Sequence, residues 1–503
     1  MLPFAKGLEV IARGADVPII PIGLDRLWGS IFSFEGGSFF WKWPHRLPYP
    51  VDVVVGKPLP SDTPAGEVRN AIQEAIATRR SKRDGRAGSL AWRFVVSAKL
   101  NRRRMALVDS GGRMSYGALL VEALALARVF DRRLGQARRV GVILESGMEA
   151  AIVHLALTLS GRVAVPLYPG LSADGRAALL GRARAQAWIG DAADSAGELP
   201  GHAVAGLRAA IRPRDRWRAR ALSLLPAWAL ARLATPQSSA REVAAVLFTA
   251  GTTGSRKAVE LSHGNILSNV QSLLEVLHIG PRDRVLSPVP LANAFGYTVG
   301  LWTTLLSGGR ALLVASDGEQ GADLCSRVEA LALSEKATVI YGSPADFAAF
   351  THKVDPAAFA DLWVAACAAA PLEEDVGAAF AERFGVLLCE GYGLTECAPV
   401  VSFNIPGAER YEGRQMAHRP GSIGRPLPGV AVRVVDRDSG AVLPQDHSGE
   451  LQVKGPNVML GYVGDPESGA SADGWLSTGD LAHIDRGGFL IIDGRSVAGE
   501  PRS

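Results

Sequence analysis

The segment Thr249-Ala250-Gly251-Thr252-Thr253-Gly254-Ser255-Arg256-Lys257 concentrates more potential chemistry than any other stretch of the chain. Glycines let a backbone approach a phosphate closely, hydroxyls and amides donate hydrogen bonds to its oxygens, and Lys257 supplies positive charge. Apolar runs on either side, Val246-Leu247-Phe248 and Ala258-Val259, predict a strand entering the loop and a strand leaving it. This is not a Walker P-loop, because the G-x-x-x-x-G-K-[ST] spacing fails and no helix is expected after the lysine. Taken alone, the segment is equally compatible with a plain Gly/Thr hairpin.

A second segment, Glu390-Gly391-Tyr392-Gly393-Leu394-Thr395-Glu396, follows the apolar run Val386-Leu387-Leu388. It offers an aromatic face, a hydroxyl and a carboxylate in one short arc, suited to stacking on a base, bonding a phosphate and holding a hard divalent cation. A surface turn is the alternative for this segment alone, and the presence of the first loop argues against it. Two further elements are Gly474-Trp475-Leu476-Ser477-Thr478-Gly479-Asp480-Leu481, whose Asp480 suits ribose hydroxyls, and Gly488-Phe489-Leu490-Ile491-Ile492-Asp493-Gly494-Arg495.

The elements that must position these groups alternate between strand and helix from about Met105 onward. Ala106–Asp109 with Gly111-Gly112 predicts a hairpin, Tyr116–Phe130 an amphipathic helix, Val140–Leu144 a buried strand, Met148–Leu159 a helix and Ala164–Leu167 another strand. Such alternation predicts α/β layering. After about Gly424 helices are no longer expected; Val430–Val435, Gly449–Val453 and Gly488–Ile492 read as short strands of a small β-rich subdomain. Upstream, Val17–Ile22 and Val51–Pro58 are β-rich runs separated by an aromatic segment, and Glu67–Arg80 has helical spacing.

The four chemistry-bearing segments, in this order and spacing, resemble the adenylate-forming superfamily of acyl-CoA and acyl-carrier-protein synthetases, luciferases and peptide-synthetase adenylation domains. The resemblance covers roughly residues 90–495. It implies a large α/β domain with layered subdomains and a small β-rich one, using ATP and Mg²⁺ to turn a carboxylic acid into an acyl-AMP. It further implies that Thr249, Gly251, Thr252, Thr253, Gly254 and Lys257 form a phosphate loop, with Thr249, Lys257 and Glu396 acting in catalysis. Ala368, Ala369 and Ala370 would line the adenine edge, and Gly391, Tyr392, Gly393, Thr395 and Glu396 would hold base, phosphate and metal. Asp480 and Arg495 would grip the ribose. Residues 290–296, with Asn293, Phe295 and Gly296, and Gly391 would flank the acyl pocket. Ala250, Arg256 and Ala258 replace the family's usual Ser, Pro and Gly, and Asn293 stands where His is usual.

The opening residues, Leu2-Pro3-Phe4-Ala5-Lys6-Gly7 leading to Val17-Pro18-Ile19-Ile20-Pro21-Ile22, resemble the last part of glycerolipid acyltransferase domains. With the Glu396–Ser402 run and the basic insert before the loop, this is similar to the bifunctional 2-acylglycerophosphoethanolamine acyltransferase/acyl-carrier-protein synthetase family. That likeness implies a long-chain fatty acid, a carrier-protein or CoA thiol as acceptor, and then a lysophospholipid. It also implies truncation at both ends: no His-x4-Asp base occurs in residues 1–80, and the lid with its catalytic lysine would begin at 496–503, whereas Lys454 is the last lysine. The expected division is 1–80 partial acyltransferase, 81–104 basic linker, 105–424 adenylating core, 425–495 β-rich subdomain and 496–503 lid start. Two other readings stay open: an acyltransferase proper, and a fragment that binds adenylate without turnover.

Composition is that of a globular chain of 503 residues, with 21% charged residues and a net charge of +4. The four cysteines lack C-x-x-C or metal-ligand spacing and read as reduced cytosolic thiols. No signal peptide and no apolar run of ~20 residues is present; 221–234 is broken by Pro226 and Arg232. Charge is uneven: Arg79–Arg104 has ten Lys/Arg and one acid, Asp84, and Arg208–Arg232 has seven Arg and one acid, Asp215. Both contain Trp, which suits an anionic membrane surface better than nucleic acid; solvated linkers are the alternative. A cytoplasmic protein, peripheral on the inner face of the membrane, is the expectation.

Overall fold

The computed structural model describes residues 7–15, 17–26, 50–82, 88–191, 197–235, 239–249, 256–315, 322–406, 418–465 and 468–495. Strand sequences that are apolar on both faces demand cover on both sides, and two parallel-rich sheets with helices against them meet that demand. One runs Gly461–Tyr462, Ala258–Ser262, Val243–Phe248, Val163–Leu167, Arg139–Ile143, Ala187–Gly190, Gly201–Ala203 across its width. The other runs Arg425–Pro426, Val400–Phe403, Leu388–Gly393, Val364–Cys367, Val339–Gly342, Arg284–Ser287, Arg310–Leu313, Met105–Asp109, Gly112–Ser115. A smaller antiparallel sheet orders Ala431–Val435, Gly449–Lys454, Leu476–Ile484 and Leu490–Arg495. Among the described residues no α-helix follows Phe384.

Helix Tyr116–Arg133 starts where the Ser115 side chain accepts from the Ala118 amide at 3.3 Å, satisfying one of the helix's free donors. It packs against Met148–Leu159, whose apolar residues are buried all round. The Tyr116 hydroxyl donates to the Gly309 carbonyl at 2.7 Å, tying this helix to the nine-stranded sheet.

Several expectations need correction. Residues 90–100 are not linker. Leu90–Leu100 is a helix with Leu90, Ala91, Phe94, Val95 and Ala98 buried, N-capped by Ser89. Its Arg93 and Lys99 lie among the apolar positions, so a count of charge conceals an inward face. Arg80 is likewise engaged, its Nε 2.9 Å from Asp25 and a terminal nitrogen 3.4 Å from Glu275. Trp92 rests half-buried on the core, whereas Arg79, Lys82, Arg93, Arg102, Arg103 and Arg104 stay exposed. The β-rich sheet starts at Ala431, because Arg425–Pro426 pairs instead with Val400–Phe403.

The first 80 residues do not stand apart. Ile22–Asp25 pairs antiparallel with Asp52–Val55, and helix Ala65–Ser81 buries Val68, Ile72 and Ile76 near them. Ala77 of that helix packs against Ala431 and Trp475 of the small sheet. The aromatic segment 28–43 and residues 496–503 lie outside the described residues. Among the described residues no helix is long and apolar enough to cross a membrane; the 221–234 run is split between helices Pro213–Leu224 and Ala227–Ala234.

Candidate functional site

Strands Val163–Leu167 and Val243–Phe248 of one sheet, and Arg284–Ser287, Val339–Gly342 and Val364–Cys367 of the other, all deliver their C-terminal ends to one cleft of ≈ 520 Å³. Parallel strands expose their following loops at that end, which is where α/β sheets bind ligands. The wall includes Thr249, Asn293, Phe295, Ala368, Ala369 and Thr395. The two loops singled out in the sequence, far apart along the chain, thus share a cavity.

The Thr/Gly loop closes on a hairpin. Ala258 pairs with Phe248, the Thr249 amide donates to the Lys257 carbonyl at 3.1 Å, and the Lys257 amide donates to Thr249 Oγ1 at 3.1 Å. Gly251, Thr252, Thr253 and Gly254 lie outside the described residues. Lys257 Nζ sits 4.7 Å from the centre of the Tyr462 ring, and the Tyr462 hydroxyl donates to Glu396 Oε1 at 2.8 Å. Ammonium, phenol and carboxylate thus stand in a row beside the cleft. Burial, and then the Glu396 charge, push the Tyr462 hydroxyl above the usual phenol range, so it stays protonated and donates.

A second pair links two sheets. The Tyr392 hydroxyl donates to Asp480 Oδ2 at 2.5 Å, with burial first and Asp480 second raising its pKa. Asp480 sits opposite Arg495 in strand register, but Arg495 Nε is 3.8 Å away and its side chain is 83% exposed. That separation leaves Arg495 free to turn toward a ligand. Ala368–Ala370 form the turn after Val364–Cys367. Ala369 holds φ +82, a left-handed conformation uncommon for a residue with Cβ, and the Leu372 amide donates to Glu390 at 3.2 Å just beyond. Burial raises the pKa of Glu390, and that amide opposes the shift.

Some assigned residues do not line the cleft. A Cβ at Gly296 would come within 2.2 Å of the Pro290 carbonyl, and one at Gly391 within 2.6 Å of the Phe403 ring. Both are glycines because neighbouring chain lies against them; neither is a wall residue. Ala370, Tyr392, Gly393, Glu396, Asp480, Lys257 and Arg495 also lie outside the lining of that cavity. Asn293 binds its own loop, accepting from the Phe295 amide at 2.8 Å. Phe295 meets Tyr341 edge-on at 4.9 Å between centroids.

Sequence reasoning missed Tyr168, Tyr462, Asn265 and Asn269. Tyr168 follows strand Val163–Leu167 into the cleft, hydrogen-bonds Asn293 and lies 5.8 Å beneath the Arg256 guanidinium; its place one residue after a buried strand was the available signal. Asn265 donates to the Pro456 and Val458 carbonyls, and buried Asn269 to the Val400 carbonyl. Helix His263–Leu277 therefore anchors both segments that frame Glu396.

The AMP-binding enzyme family model matches residues 94–463. The chain belongs to that family. This AMP-binding enzyme is 34% identical over 265 residues to the long-chain-fatty-acid–CoA ligase of Salmonella typhimurium, covering 51% of the chain and 45% of the relative. It is 31% identical over 427 residues to 4-coumarate–CoA ligase-like 6 of Oryza sativa subsp. japonica, covering 78% and 67%. The match to the Salmonella ligase thus spans about half of that protein's length. The ATP-bound structure of MatB from Rhodopseudomonas palustris superposes with a TM-score of 0.67 at 26% identity, covering 80% of this chain and 78% of that one.

Proposed function

We propose that the chain activates a fatty acid as acyl-AMP. A carboxylate oxygen bonds to the α-phosphorus of ATP, the bond to the bridging oxygen breaks, and pyrophosphate leaves. The observation that carries this reading is that Thr249 and Thr395, one from each chemistry-bearing loop, wall the same cleft. Thr249, Gly251, Thr252, Thr253, Gly254 and Lys257 are assigned to the phosphates, Ala368–Ala370 and Tyr392 to the base, and Asp480 and Arg495 to the ribose hydroxyls. Catalysis at such a site rests on positioning and charge stabilisation.

Glu396 suits Mg²⁺. Tyr462 occupies Oε1, and the other oxygen is a hard ligand of the kind Mg²⁺ prefers. The described residues hold no cluster of three or more His, Cys, Asp or Glu able to bind a metal alone, which fits a cation shared with substrate phosphates. Bound there, it neutralises phosphate charge.

The wall from Pro288 to Phe295 is apolar apart from Asn293, which favours hydrocarbon over an acid bearing a second carboxylate. The acceptor is a phosphopantetheine thiol, of CoA or a carrier protein: sulfur bonds to the acyl carbon, AMP leaves and the thiol proton passes to solvent. A lysophospholipid as later acceptor rests on the likeness of the first 80 residues alone. Pyrophosphate exchange tests the acid class. Palmitate should support exchange at least about tenfold better than ferulate or malonate, a ratio within reach of an apolar pocket. A preference for ferulate would overturn the fatty-acid assignment.

A further inference from the structure

Both basic, Trp-bearing stretches keep charge at the surface, but of their described Trp residues those of the second are exposed and Trp92 of the first is half-buried. Helix Pro213–Leu224 turns Asp215, Ala219 and Ser223 inward. At about 100° per residue, the opposite side carries a strip of Trp217, Ala221 and Leu224, with Arg214 and Arg218 along one edge and Arg216 and Arg220 along the other. Trp217 is 72% exposed and Leu224 69%. Across the turn at Leu225-Pro226, helix Ala227–Ala234 buries Leu230 and Ala231 and exposes Trp228 and Leu233. The end of helix Leu90–Leu100 lies beside the turn, where Lys99 Nζ donates to the Ser223 carbonyl at 2.6 Å, and brings an exposed Leu100.

Among the described residues, Arg216 is the one edge arginine that an acid pairs. Asp215 is bound to Arg132, and Glu122 is shared by Arg208 and Arg216. Among the described residues Arg214, Arg218 and Arg220 make no ion pair. An exposed apolar strip between two rows of arginine is the arrangement of a helix lying in a lipid interface: the aromatic and aliphatic groups reach the acyl boundary, and the guanidinium groups meet phosphates. A soluble polyanion accounts for the arginines but not for two exposed Trp between and beyond them.

We propose that the helix pair 213–234 is a docking surface for an anionic phospholipid bilayer. This holds independently of the adenylating reading, since none of its residues belongs to the cleft.

Flotation with phosphatidylcholine vesicles, with and without phosphatidylglycerol, tests it. The wild type should float with the anionic vesicles only, and release as salt shortens the screening length toward ~3 Å. Each near-surface cation is worth roughly fivefold in partitioning, so R214E/R218E should weaken binding at least about twentyfold. W217A/W228A, which keeps the charge, should weaken it about tenfold or more by losing buried aromatic surface. Both variants alter exposed side chains and should retain the wild-type melting temperature and response to an acyl-adenylate mimic. Wild type indifferent to lipid charge, or charge-reversed protein floating like wild type, would overturn the proposal. Undiminished binding by W217A/W228A would also overturn it, and would point to a polyanion or acidic protein as the partner.

Discussion

Asp480→Ala weakens ATP binding by about 10- to 100-fold, measured by calorimetry, the loss expected for hydrogen bonds to a charged acceptor worth ~1.5–3 kcal/mol. Two effects combine. In the proposed site the ribose hydroxyls would lose their carboxylate, and the Tyr392 hydroxyl, which donates to Asp480 at 2.5 Å, is left without that acceptor. Tyr392→Phe separates them: it keeps the ring and the carboxylate and should cost only several-fold. Equal affinity in wild type and Asp480→Ala would show that the nucleotide lies elsewhere.

Glu396→Gln is expected to slow pyrophosphate exchange by about 10²–10³, the scale on which single transition-state contacts matter. Glutamine keeps an oxygen for the Tyr462 hydroxyl, which donates to Glu396 at 2.8 Å, so the surrounding structure is retained and the change is one of charge at the metal. AMP binding without Mg²⁺ should therefore hardly alter. A variant with wild-type exchange, or one that loses AMP affinity equally with and without Mg²⁺, would remove Glu396 from the metal's ligands.

The parts of the fold that could be read from sequence are those set by local pattern. Strands Arg139–Ile143 and Val163–Leu167, helix Met148–Leu159 and the hairpin carrying Thr249 and Lys257 all have apolar spacing that matches their geometry. Helix Leu90–Leu100 was obscured because its buried Phe94 and Val95 sit between Arg93 and Lys99, where charge counting outweighs periodicity. Gly296 and Gly391 show a different limit: their motifs are visible, but a glycine required by the Pro290 carbonyl or the Phe403 ring resembles one required by a ligand until the neighbour is seen. Tyr462 reaches Glu396 only because its two-residue strand pairs with Val259 beside the Thr/Gly loop. Nothing in its local sequence announces that long-range pairing.

Occupation of this cleft by an acyl-adenylate is what the proposed function requires. Its most direct test is the melting temperature of the chain with palmitoyl-sulfamoyl-adenosine, a non-hydrolysable mimic, paired with calorimetry. At a free concentration 100 times Kd, one-site binding stabilises the folded state by ≈ 2.7 kcal/mol, enough to raise Tm by about 5–11 °C in a domain of about 150–250 residues. A saturable rise and a binding heat with one site per chain are expected, both strongly reduced in Asp480→Ala. An unchanged melting temperature together with no binding heat would contradict it.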